Sequence, residues 1–120
     1  MDYNPDNIFA KILRKEIPCD QVFENDFALA FKDINPQAPI HVLVIPKGDY
    51  VSMADFTAAA PDELIAGFFA AVGKVAKLLD LEKNGYRILA NSGDDAHQEV
   101  PHLHIHIFGG RPLGPMLTRL

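Results

Sequence analysis

Residues 102–108 read His-Leu-His-Ile-His-Ile-Phe, three imidazoles alternating strictly with apolar side chains. Strict alternation marks a half-buried β-strand, because successive side chains point to opposite faces. Leu103, Ile105 and Ile107 then need a covering layer. His102, His104 and His106 stand in a row on the other face, each about 6.5–7 Å from the next, twice the strand rise. Three of the chain's five histidines lie in this row. A merely structural outer face would more readily carry Thr, Lys or Glu. Imidazole suits proton transfer, metal ligation and nucleophilic attack near neutral pH. The stretch therefore demands a sheet covered on one side and points to a chemical site on the other.

The remaining pattern supplies that sheet. Asn4-Pro5-Asp6 reads as a helix start, with Asn4 as N-cap and Pro5 at the first helical position. Ile8, Phe9, Ile12 and Leu13 continue at helical spacing, so a short helix is expected over residues 5–14. Residues 21–24 and 27–32 are short strands around an Asn25-Asp26 turn. Residues 41–46 form a β-branched run closed by Pro46, apolar enough to be a central strand. A polar connection containing Asp49 and Asp55 follows. A long helix begins near Pro61-Asp62-Glu63, its apolar stripe running from Leu64 through Phe68 and Phe69 to Leu79. The aromatic pair in that stripe is expected in the core. Residues 86–91 are another strand, residues 92–98 a polar loop, and the tail from Gly109 to Pro115 is too rich in Gly and Pro for regular structure. The tally predicts an α+β fold in one domain over residues 1–120: a five-stranded antiparallel sheet with one long and one short helix.

Several function classes are disfavoured. A net charge of -5 argues against a sequence-independent duplex binder, which needs a basic face. A small nucleotide stays open, since backbone N–H groups and a few side chains suffice to hold it. Neither a glycine-rich dinucleotide fingerprint nor a P-loop is present. The first six residues have no signal-peptide pattern, and no apolar run is long enough for a membrane span. A single cysteine, Cys19, fits a reducing, cytoplasmic setting, where it is expected to be an inert thiol.

Three chemistries suit the histidine row. One is nucleophilic attack on phosphorus by a neutral imidazole whose other nitrogen is held by an acceptor, with neighbouring imidazoles donating to phosphoryl oxygens. The second is a metal site completed by His41. The third is a row of no consequence. The motif alone leaves all three open.

The motif resembles that of the histidine-triad (HIT) superfamily. Further stretches are similar to its Hint branch: Ile8 to Pro18, Ala30 to Ile34, Pro36-Gln37-Ala38-Pro39, and His41 to Lys47. The segment from Gly109 to Leu117 resembles the tail of bacterial members. The resemblance implies a homodimer whose sheets join. It also implies hydrolysis of purine nucleoside phosphoramidates to the nucleoside monophosphate and an amine, with no metal or other cofactor. Under it His104 is the nucleophile, His106 acts on the phosphate, and His102 with His41 supports their orientation. Asp33 resembles the acid that binds the ribose hydroxyls. Phe9, Phe31 and Ile34 fall where they would enclose the base. Asn91 and Gln98 resemble polar residues on the phosphate side. Other outcomes within this resemblance are dinucleoside polyphosphate hydrolysis, or a nucleotide-binding interaction module with little catalysis.

Two departures stand out. Glu99 occupies a place where many relatives have serine near the leaving nitrogen; bacterial members often carry an acid there, so the resemblance leaves Glu99 either serving at the nucleotide site or facing solvent. Ala96-His97 replaces two glycines that would allow close backbone approach to phosphate. His97 is expected to face solvent. Without the resemblance, Asp33 reads as a turn residue, His41 as a strand histidine satisfied by a backbone group, and Asn91 as a cap on the loop after it.

Overall fold

A computed structural model describes residues 2–117. Its strands are β1 (Gln21–Glu24), β2 (Ala28–Lys32), β3 (Ile40–Pro46), β4 (Arg87–Leu89) and β5 (Ile105–Gly109); its helices are α1 (Ile8–Leu13), α2 (Met53–Ala59) and α3 (Asp62–Leu78). The five strands make one antiparallel sheet in the order β1-β2-β3-β5-β4. β3 lies at the centre, as its apolar run requires. Asn25 makes the β1–β2 turn: its side-chain oxygen accepts from the Phe27 and Ala28 amides at 2.9 and 3.0 Å.

The sheet separates two unequal layers. On one face Ala28, Ala30, Val42, Val44, Ile105 and Ile107 pack with Phe68, Ala71, Val72 and Val75 of α3. Gly67 lets α3 come close to the hairpin, since a Cβ there would strike the Phe27 ring. On the other face Leu29, Phe31, Leu43 and Ile45 are covered by Phe9 and Ile12 of α1. That short helix covers only part of its face, and the remainder holds the histidines. Among the described residues, no helix is long and apolar enough to cross a membrane.

Four local expectations are corrected. Asn7, not Asn4, caps α1, with its side chain accepting from the Ala10 amide at 2.8 Å. Asn4 instead closes a preceding turn by accepting from the Asp6 amide, so the helix starts at Ile8 rather than Pro5. The polar connection contains a helix, α2. Asp55 accepts from the Val51 and Ser52 amides, each at 2.7 Å, and so closes a capping box around Ser52. The aromatic pair divides: Phe68 is fully buried, whereas Phe69 is more than a third exposed at the rim of the core. Finally, β5 begins at Ile105, not His102. Its partner β3 ends at Pro46, which has no N–H to extend the ladder. The alternation of faces persists through the irregular stretch, with Leu103, Ile105 and Ile107 all in the α3-side core.

Candidate active site

The histidine row is enclosed rather than exposed. His102 is fully buried and His104 nearly so. Phe9 of α1 meets the His104 ring edge-on at 4.9 Å between centroids. His41, on β3, lies beside the row, with its ring centroid 5.2 Å from that of His106. Burial lowers the pKa of all four histidines, of His102 and His106 to about 4. Four neutral imidazoles therefore face one another at neutral pH.

The hydrogen bonds then determine which nitrogen of each ring carries the proton. His104 Nδ1 lies 2.7 Å from the His102 carbonyl. A carbonyl only accepts, so Nδ1 is protonated and Nε2 holds the lone pair. His102 Nε2 donates to the Pro46 carbonyl at 3.1 Å by the same reasoning. The Gln37 amide donates to His41 Nδ1 at 3.1 Å, which puts the His41 proton on Nε2. That nitrogen lies 2.9 Å from His106 Nδ1, which must accept. The His106 proton is thereby driven to Nε2, a buried atom with no partner among the described residues. An orphaned buried donor costs about 1–3 kcal/mol and marks a place for a ligand atom. A lone pair on His104 and a free N–H on His106 thus stand on adjacent rings, 5.0 Å apart between centroids.

These rings line a cleft of about 480 Å³, together with Asp33, Asn91, Ala96, His97, Glu99 and Phe108. That volume suits a small ligand. Asp33 combines both of its expected characters. One oxygen accepts from the Asn35 amide at 2.8 Å as a turn residue, and the other lies 3.4 Å from His41 Nε2. Ile34, next to it, is 88 % exposed. Phe9 and Phe31 are buried against each other, edge to face. Gln98 points elsewhere: its amide donates to the Val51 and Val100 carbonyls and accepts from the Gly93 amide. His97 and Glu99 pair at 3.2 Å in the open. His97 adopts the left-handed conformation, φ 58°, that a glycine would take without strain.

One oxygen of Asp33, one nitrogen of His41 and one of His106 come within 4.8 Å of one another, a metal-like grouping. Its proton pattern opposes that use. A cation would need a lone pair on His41 Nε2, but the Gln37 amide aimed at Nδ1 keeps the proton on Nε2.

Residues 14–113 match the HIT domain. The chain belongs to the HIT family. It is 41 % identical over 113 residues to the purine nucleoside phosphoramidase of Escherichia coli strain K12, covering 94 % of each chain. A HIT-like protein of Azospirillum brasilense is 63 % identical over 117 residues, covering 98 % of this chain and 96 % of that one. The structure of a histidine triad protein from Clostridium difficile superposes with a TM-score of 0.84 at 40 % identity, covering 98 % of this chain and all of that one.

Three contributors to the HIT site were not singled out from the sequence. The Gln37 backbone amide sets the His41 tautomer, and no side-chain pattern reports a backbone donor. Ser52 and Asp55 hold Val51, whose carbonyl anchors the Gln98 amide and with it the loop bearing Glu99. The Ser-x-x-Asp spacing was the available signal for that box. Tyr3, far away in sequence, reaches His102.

Proposed function

We propose that this protein hydrolyses purine nucleoside phosphoramidates through a nucleotidyl-histidine intermediate. The observation that carries the reading is the pairing of a lone pair on His104 Nε2 with an orphaned N–H on His106 Nε2. His104 Nε2 attacks phosphorus, and the P–N bond to the amine breaks. The departing amine takes a proton from solvent at the cleft mouth. His106 Nε2–H donates to a phosphoryl oxygen as charge builds. Water then attacks phosphorus and gives up a proton to solvent, the N–P bond to His104 breaks with its electron pair returning to Nε2, and the nucleoside monophosphate leaves.

The charge of the cleft supports a phosphoramidate over a polyphosphate. Among the described residues no Lys or Arg lines it, whereas Asp33 and Glu99 do. Neutral imidazoles and one free N–H match a phosphoryl group bearing a single negative charge better than a chain of several. In this reading Asp33 holds the ribose hydroxyls, Phe9, Phe31 and Ile34 enclose the base, and Asn91 faces the phosphate. Gln98 shapes the loop, and Glu99 faces the leaving amine. The purine nucleoside phosphoramidase relative supports the same class. The chain acts as one HIT domain and as a homodimer. Support for the dimer comes from β4, a three-residue edge strand whose Ile88 and neighbouring Tyr86 are exposed.

The test is steady-state hydrolysis of an adenosine phosphoramidate by wild type and His104→Ala. The expected outcome is a loss of at least about 10⁴-fold in kcat, with a folded variant. Full turnover by folded His104→Ala would remove the nucleophile assignment.

A further inference from the structure

The proposed reaction assigns no work to the N-terminal segment, yet Tyr3 reaches the triad. The Tyr3 hydroxyl lies 2.7 Å from His102 Nδ1, across 99 positions of sequence. The two rings meet edge-on, 5.6 Å apart between centroids. Because His102 Nε2 already donates to the Pro46 carbonyl, Nδ1 is a lone pair and the phenol is the donor. His102 is thus saturated at both ring nitrogens inside a fully buried site.

The backbone gives this bond its importance. Ladder pairing of β5 with β3 starts only at Ile105. The His102 peptide, whose carbonyl holds His104 Nδ1, therefore lies outside the ladder. It is held by the Leu103 amide donating to the Tyr50 carbonyl at 2.8 Å and by the two bonds to the His102 ring. One of those ring bonds belongs to Tyr3. The turn closed by Asn4 and the cap made by Asn7 fix the approach of Tyr3 from the start of α1.

We propose that Tyr3 is a positioning residue: its hydroxyl, bonded to His102 Nδ1, fixes the His102 ring and through it the carbonyl that orients the His104 nucleophile. The proposal rests on His104 being that nucleophile. Losing the hydroxyl leaves a buried acceptor without a donor, and the ring turns or admits water to recover one. The His102 carbonyl moves with it, and the lone pair of His104 loses its aim. Attack geometry suffers while nucleotide binding does not, because Tyr3 does not line the catalytic cleft.

Tyr3→Phe is the informative variant, since it keeps the ring and removes only the hydroxyl. In hydrolysis of an adenosine phosphoramidate, kcat is expected to fall about tenfold while KM stays within about twofold. In ¹⁵N-labelled full-length protein, the His102 Nδ1 resonance is expected to move toward that of an acceptor without a donor. A Tyr3→Phe enzyme with wild-type kcat, or an unmoved Nδ1 resonance, overturns the proposal. His104→Ala run alongside separates the two claims. Wild-type kcat in Tyr3→Phe beside an inactive His104→Ala overturns the strap alone. Surviving turnover in His104→Ala overturns the nucleophile and the strap together.

Discussion

His102 and His106 occupy the two ends of one row, and burial lowers both to a pKa of about 4. Their surroundings nevertheless divide the labour. His102 has each ring nitrogen matched, one to the Pro46 carbonyl and one to the Tyr3 hydroxyl. His106 has only Nδ1 matched, to His41, and its Nε2 proton is orphaned. One imidazole is finished as part of the scaffold, and the other is left incomplete for a ligand to finish. Acidity does not distinguish the two, and burial does so only in degree, His102 being fully buried and His106 partly so. The number of unanswered hydrogen-bond positions separates them, because an unmet buried donor is costly until something fills it.

That contrast can be broken by mutation. His106→Ala should lower kcat about 10²- to 10³-fold at only a small cost in the urea unfolding midpoint, because an orphan donor is removed and the His41 Nε2–H freed by the change has an Asp33 oxygen 3.4 Å away to accept it. His102→Ala should do the reverse in stability. It opens a cavity and strands the Pro46 carbonyl and the Tyr3 hydroxyl, at a cost of about 2–3 kcal/mol. Its kcat also falls, because the His102 carbonyl loses its anchor. Equal stability losses in the two variants would erase the proposed division.

The smallest expected effect is a pH dependence that the two ends share. Each has a folded-state pKa below the ordinary histidine value, so the unfolded chain binds protons first as pH falls. Their contribution is complete above about pH 6.5 and is lost progressively toward pH 4. Between pH 7 and 6 the pair should cost on the order of 1 kcal/mol of stability, read as a drop in the urea midpoint. Either alanine variant should show a shallower slope. An unchanged slope in both would place the titration elsewhere.

The pattern of faces was legible wherever it depended on local periodicity. β3 reads as a central strand because it is apolar on both sides, and α3 reads as a helix because its stripe spans several turns. α2 was not legible by that route: seven residues including three alanines carry too little stripe, and only its capping box announces it. The N-cap of α1 was ambiguous because Asn4 and Asn7 are both suitable caps. Asn7 takes the place because its side chain reaches the Ala10 amide while Asn4 is used in the turn before it. At the site, the structure brings His41, His104, His106 and Asp33, all named from the sequence, around one cleft. Gln98 is directed into the loop scaffold, because the Val51 and Val100 carbonyls and the Gly93 amide satisfy it there.

Alternation alone determined that His102, His104 and His106 share a face, because a side-chain period of two is a property of the extended backbone itself. Which nitrogen of His102 and which of His106 carries a proton was decided only by tertiary structure. Pro46 answers His102 across 56 positions, His41 answers His106 across 65, and Tyr3 answers His102 across 99. A tautomer is set by whatever donor or acceptor arrives opposite the ring, and the folded sheet and its N-terminal strap bring those partners in.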